Sequence, residues 1–195
     1  MRILKSSIIV IIFLFLITGM LNFQSHAYNL KILFTEITDQ EFKALPELLQ
    51  SRVLGHNKIN SELTKKWSSS PSSLGKDFIH YHHWALGIIK FNRALRPNNI
   101  KKREFLLKSA LGEYNYVLRH TSPQNQFRYL FHLRRGEIYY IQGKYSAAGD
   151  ELQNSLNYKN DYKQTYVVLS KVYEALGMKK QAKEALRRAD ELKLQ

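Results

Sequence analysis

The chain has 195 residues, of which 44% are hydrophobic, and its formal net charge is +14. This length suits one medium-sized domain behind a leader, and the apolar fraction supplies a core, which excludes wholesale disorder. Cysteine is absent, which excludes disulfides, thiol catalysis, cysteine metal ligands and a lipobox lipid anchor. Proline is scarce and apolar-periodic segments recur, so the sequence predicts an all-α protein.

The basic excess is spread along the whole chain. It fits either a polyanionic partner, such as anionic lipid or an acidic envelope polymer, or a solvated basic surface without a specific partner. The sequence contains no RNA-binding motif, so no nucleic-acid partner is expected.

The N-terminus has the pattern of an export signal. A basic start, an apolar run at residues 8–21 and small side chains at Ser25 and Ala27 predict a secretory signal peptide over residues 1–27. The alternative is an uncleaved inner-membrane anchor at residues 3–21, although the apolar run is shorter than the roughly 20 residues that a spanning helix needs. Both interpretations place the remaining chain outside the cytoplasm, most naturally in the periplasm.

Residues 28–75 are predicted to form an irregular helical layer that packs on the rest of the chain, because they are too few for a core of their own. Thr38 and Asp39 are candidate N-caps, and apolar residues recur at helical spacing from there to Gly55. Pro46 lies inside this pattern, so the helix either kinks or starts at that residue.

Residues 76–122 are predicted to form a loose first helical pair. Broad apolar stripes predict one helix over residues 77–95 and a second over residues 101–120, with a proline-containing break between them. Gly87 lies in the first of these helices, where a small residue permits close approach of a neighbour.

Residues 123–195 contain one pattern written twice, 34 residues apart. The first copy and then the second are Gly136, Tyr139, Gly143, Ala148, Leu152 and Ser170, Tyr173, Gly177, Ala182, Leu186. Such a period predicts a helix–turn–helix array in which small residues mark helix crossings and tyrosines fill the adjacent groove. Ser122 and Pro123 are expected to start the first of these helices.

The spacing resembles the tetratricopeptide repeat (TPR) family. The resemblance implies a short α-solenoid of TPR-like helical hairpins, with residues 123–195 as two repeats and residues 76–122 as a degenerate one. Trp84, Phe91, Ala110 and Tyr114 match the aromatic, small and large positions of such a repeat. The chain also looks like a class of exported bacterial TPR proteins of unknown activity.

The resemblance also implies a concave binding face made by the first helix of each repeat. The candidate partner-binding residues on it are Leu130, Leu133, Glu137, Tyr140, Ile141, Gln164, Val167, Lys171 and Glu174. Its apolar half suits a peptide with a hydrophobic stripe. The alternative is that the N-terminal layer covers Leu130 and Leu133. Leu133 and Glu137 stand where some family members carry a carboxylate clamp, so that clamp is not expected.

Three histidines are the nearest approach to a metal cluster. His80 and His83 share a helix face and His82 lies between them, but no HExxH motif or adjacent acidic ligand accompanies them. A packing role beside Tyr81 and Trp84 is therefore expected, and no metal or other cofactor is predicted.

Three functions remain open at this stage. The first is a non-enzymatic scaffold of the cell envelope that binds a peptide or protein subunit of a larger assembly. The second is a basic protein that docks on anionic lipid or envelope polymer through residues 101–103 and the final helix. The third is a metal-dependent enzyme built on the histidines, for which no catalytic motif is present.

Overall fold

The computed structural model describes residues 37–51, 53, 74–96 and 100–192. The predicted signal peptide over residues 1–27, its alternative as an anchor at residues 3–21, and Gly55 lie outside these ranges. All regular elements within the ranges are helical, so the predicted all-α class is confirmed. None of the helices described has the length and apolar character needed to cross a membrane.

Nine α-helices and one 3₁₀ helix occur in the described ranges. In chain order they are α1 (Asp39–Lys43), α2 (Glu47–Gln50), α3 (Leu74–Asp77), the 3₁₀ helix (Phe78–His80), α4 (Tyr81–Ala94), α5 (Ile100–His120), α6 (Arg128–Ile141), α7 (Tyr145–Tyr158), α8 (Lys163–Ala175) and α9 (Lys179–Glu191). Helices α4 and α5, α6 and α7, and α8 and α9 pack most extensively on each other as successive pairs. Neighbouring pairs touch through α5 and α6 and through α7 and α8.

The short N-terminal helices are held to α4 by one carboxylate. Thr38 caps α1 through a reciprocal capping box with Glu41, which confirms the predicted N-cap. Glu41 also accepts two hydrogen bonds from the Arg93 guanidinium, at 2.7 and 2.8 Å. Pro46 is the N-cap of α2, so of the two predicted alternatives the helix starts there.

Two helix starts differ from the sequence prediction. The helix expected over residues 77–95 is interrupted by the 3₁₀ turn, and α4 begins only at Tyr81. The helix expected to start at Ser122 and Pro123 begins at Arg128 instead.

A buried tertiary interaction explains the late start of α6. The Asp77 carboxylate accepts hydrogen bonds from Ser122 N at 3.0 Å and from Asn125 Nδ2 at 2.6 Å. Asn125 Oδ1 in turn accepts from Phe127 N at 2.9 Å. These bonds stabilise a turn over residues 122–127, and local cap propensity is overridden.

The turns inside the second and third pairs are the same structure repeated. Gly143 and Gly177 have φ of 73° and 74°. Lys144 N donates to Tyr139 O at 2.9 Å, and Met178 N donates to Tyr173 O at 2.8 Å. With the accompanying bonds from the two glycine amides to residues 140 and 174, each turn is a Schellman motif.

Small residues lie where the paired helices cross. A Cβ added at Gly136 would lie 2.8 Å from Leu152 Cγ and 3.3 Å from Ala148 O, so the crossing of α6 and α7 leaves no room for a side chain. In the first pair, a Cβ at Gly87 would lie 3.0 Å from the Tyr114 ring. The predicted packing reason for these glycines is therefore confirmed.

The core consists of two clusters of buried apolar side chains. The first joins the N-terminal helices, α4, α5 and part of α6, and the second joins α6, α7 and α8. Leu130 packs against both clusters, which links the first pair to the second. The last helix buries only small residues, Ala182, Ala185 and Ala189, and its remaining surface is polar.

Candidate partner-binding site

The apolar half of the predicted binding face takes part in the core. Leu133 is only 1% exposed and belongs to the second cluster, with Val168 and Leu169 of α8. It is covered by the later helices and not by the N-terminal layer, which corrects the alternative considered for it. Leu130 and Ile141 are half-buried against the first cluster. In this conformation Leu133 offers a partner almost no surface.

Glu137 is held by an ion pair. Its carboxylate lies 2.5 Å from an Arg134 guanidinium nitrogen, and that guanidinium lies over the Phe91 ring at 5.4 Å. Burial acts to lower the pKa of Arg134, but the Glu137 carboxylate outweighs it and the pKa is raised. The pair also lies near the buried Tyr114 hydroxyl, whose pKa is raised by burial. This cluster joins α4, α5 and α6.

The α8 half of the predicted face is the more accessible one. Gln164, Lys171 and Glu174 are exposed, and Val167 is half-buried. Tyr140 of α6 is also half-buried, against the second cluster. A partner could therefore reach a polar surface along α8, and its binding there stays a prediction.

A cleft of about 560 Å³ lies on α7, α8 and α9, away from the predicted set of residues. Its lining combines two tyrosines and aliphatic side chains with amides and charged groups. The lining residues are Gln153, Leu156, Tyr166, Leu169, Tyr173, Lys180, Gln181, Glu184, Ala185 and Arg188.

The 34-residue offset explains why this cleft is open. In the second pair, Glu151 of α7 lies 2.8 Å from His132 Nδ1 and 2.9 Å from an Arg135 guanidinium nitrogen, and all three groups are largely buried. The residues 34 positions later are Ala185, Tyr166 and Leu169, and all three line the cleft. Because alanine replaces the glutamate, the charged cluster that fills the second pair has no counterpart in the third.

The cleft offers an apolar floor beside positive charge. Gln153 Nε2 donates to the Tyr173 hydroxyl at 3.1 Å, and the Tyr166 hydroxyl donates to Asn160 O at 2.9 Å, so both rings are fixed by hydrogen bonds. Lys180 and Arg188 add two cations to the lining. This arrangement suits an aromatic or aliphatic side chain that is followed by a carboxylate.

Comparisons with known proteins follow from this geometry. No protein-family model, curated protein or solved structure matches this chain. The 34-residue pattern and the surfaces described above are therefore what supports a functional proposal.

The three histidines belong to an aromatic cluster between α4 and α5. His83 Nδ1 lies 2.5 Å from a Glu113 carboxylate oxygen, and Lys90 binds the other oxygen of that carboxylate. Burial acts to raise the pKa of Glu113, but the bonds from His83 and Lys90 outweigh it and the pKa is lowered. The Tyr116 ring stacks on His83 at 3.6 Å. The predicted packing role is therefore seen for His83.

The other two histidines also have protein contacts. His82 Nδ1 lies 2.8 Å from Ile79 O, and the His80 ring packs against Tyr116 and His120. Within the described ranges, no group of three or more histidine, aspartate or glutamate side chains is arranged to hold a metal ion.

Proposed function

We propose that this chain is a non-enzymatic scaffold of the bacterial cell envelope, built as a TPR-like α-solenoid, that binds a peptide or a protein subunit of a larger assembly. The observation that carries the proposal is the recurrence, 34 residues apart, of the same Schellman turn after α6 and α8. Repeats of this kind stack to expose long surfaces that suit protein partners. The predicted export signal supports a location outside the cytoplasm.

The buried charged groups support a structural role for the array. Glu41, Glu113 and Glu151 are each held by cations from another helix. Each carboxylate thereby fastens two elements together, in the manner expected of a scaffold. Such paired groups are costly to break, since the remaining partner would be left buried without a counter-charge.

Two surfaces are available for a partner under this proposal. One is the polar surface along α8, which includes Lys171, and the other is the cleft, which includes Gln181. The cleft fits a short acidic segment with an aromatic or aliphatic anchor, whereas the α8 surface fits a longer polar peptide.

Site-specific photo-cross-linking in intact cells tests the proposal. A photoreactive amino acid is placed at Lys171, at Gln181 or at the exposed control position Asn92 of α4. The proposal predicts a discrete protein adduct, identified by mass spectrometry, from Lys171 or Gln181 but not from Asn92. Equal adducts from all three positions, or none from the first two, would contradict it.

A further inference from the structure

The start of α5 exposes large apolar side chains to solvent. Ile100 is 76% exposed and Phe105 is 71% exposed, the highest values among the large hydrophobic residues of the described ranges. Exposed aromatic side chains of this kind mark interaction surfaces more often when they cluster with a second feature. Here the second feature is positive charge.

Lysines surround Phe105 on the helix surface. Lys101 and Lys102 precede it by four and three residues, and Lys108 follows it by three, so all three are its neighbours on one side of α5. All three are exposed, as is Arg103. We name Ile100, Lys101, Lys102, Arg103, Phe105 and Lys108 the α5 patch.

The α5 patch points away from the fold. Leu107 and Ala110 are buried against α4, and Phe105 lies about 200° around the helix from Leu107. Gly112, two turns after Phe105 on the same side, has no atom within 4 Å of an added Cβ. No other element of the described chain therefore covers this surface.

We propose that the α5 patch docks on the surface of a membrane that contains anionic phospholipid. Four cations stand against one carboxylate, Glu104, in residues 100–108, which matches the charge of phosphate headgroups. Phe105 and Ile100 enter the boundary between headgroups and acyl chains, and the lysine stems lie along the same apolar layer with their ammonium groups at the phosphates. A convex patch centred on one outward phenylalanine suits a deformable lipid surface, because a protein partner would have to supply a matching pocket.

Vesicle binding tests this proposal directly. The full chain is mixed with phosphatidylcholine vesicles, with or without about one third phosphatidylglycerol, and the bound fraction is measured. The double variant Ile100→Gln/Phe105→Gln should bind anionic vesicles about tenfold more weakly, and Lys101→Gln/Lys102→Gln about tenfold more weakly as well.

Matched controls lie on α9, which is also basic. Lys179→Gln/Lys183→Gln removes the same charge from exposed positions, and Leu186→Gln removes an exposed apolar side chain. Both should bind within about twofold of the parent, because only the α5 patch combines apolar and cationic groups. Equal losses from the α5 and α9 lysine pairs, or no loss from the apolar pair, would overturn the proposal in favour of general electrostatic attraction.

A local probe separates this contact from any effect of the N-terminal segment. The chain has no cysteine, so Ser109→Cys can carry an environment-sensitive fluorophore one turn after Phe105. Anionic vesicles should shift its emission to the blue, whereas the same label at Lys171→Cys should not change. An unchanged Ser109 label in the presence of bound vesicles would overturn the proposal, whatever happens to the scaffold function.

Discussion

Replacing Gly136 with alanine tests the packing of the second pair. The new Cβ would lie 2.8 Å from Leu152 Cγ, which belongs to a fully buried side chain, and 3.3 Å from the backbone oxygen of Ala148. The change gains about 1 kcal/mol of helix propensity but loses about 1–3 kcal/mol through overpacking. We therefore expect a net loss of up to about 2 kcal/mol, and a larger loss for Gly136→Leu.

Gly112 provides the matched control, because it is also helical and nothing lies within 4 Å of an added Cβ. Gly112→Ala should stabilise the protein by about 1 kcal/mol, so the two alanine variants should differ by about 1–3 kcal/mol. Urea unfolding, followed by the helical circular dichroism signal, measures both. In a Leu152→Ala background, where the contacted atoms are gone, Gly136→Ala should become stabilising. A Gly136→Ala protein as stable as Gly112→Ala would refute the assigned crossing.

Three further predictions concern charges and turns. Hydrogen bonds from Arg93 hold the pKa of Glu41 at about 2, so Glu41→Gln should cost about 1–2 kcal/mol at neutral pH after solvent screening, and the difference from the parent should vanish as the pH falls from 4.5 towards 2. Thermal melts across this range check it, and a pH-independent difference would contradict it. Glu151→Ala should cost about 3 kcal/mol or more by leaving two buried cations unpaired, whereas exposed Glu184→Ala should have no measurable effect in urea unfolding. Gly143→Ala should cost about 1 kcal/mol, because its φ of 73° disfavours a side chain, and an unchanged melting temperature would argue against the Schellman turn.

Local signals predicted much of the fold. The capping box at Thr38 and Glu41 and the positive-φ glycine at residue 143 depend on residues close in sequence, so their pattern is visible without a structure. The small residue at Gly136 was also predictable, because its copy recurs 34 positions later as Ser170.

Long-range contacts limited the rest. The late start of α6 depends on Asp77, more than 40 residues earlier, and no local pattern carries that information. Leu133 was predicted on a binding face, but α8 covers it, because the stacking of one pair on the next decides which side of a helix is buried. The cleft had one sequence signal that was not used: alanine at residue 185, where the previous repeat has Glu151.

A designed disulfide gives the most direct test of the central claim that paired helices cross at the small residues. Leu152 Cγ lies where the partner sulfur of a cysteine at residue 136 would stand, so Gly136→Cys/Leu152→Cys should close under mild oxidation in this cysteine-free chain. Gly112→Cys/Leu152→Cys, whose first position has no atom within reach, should stay reduced. Free thiols in the first variant, measured by mass spectrometry after alkylation, would contradict the account.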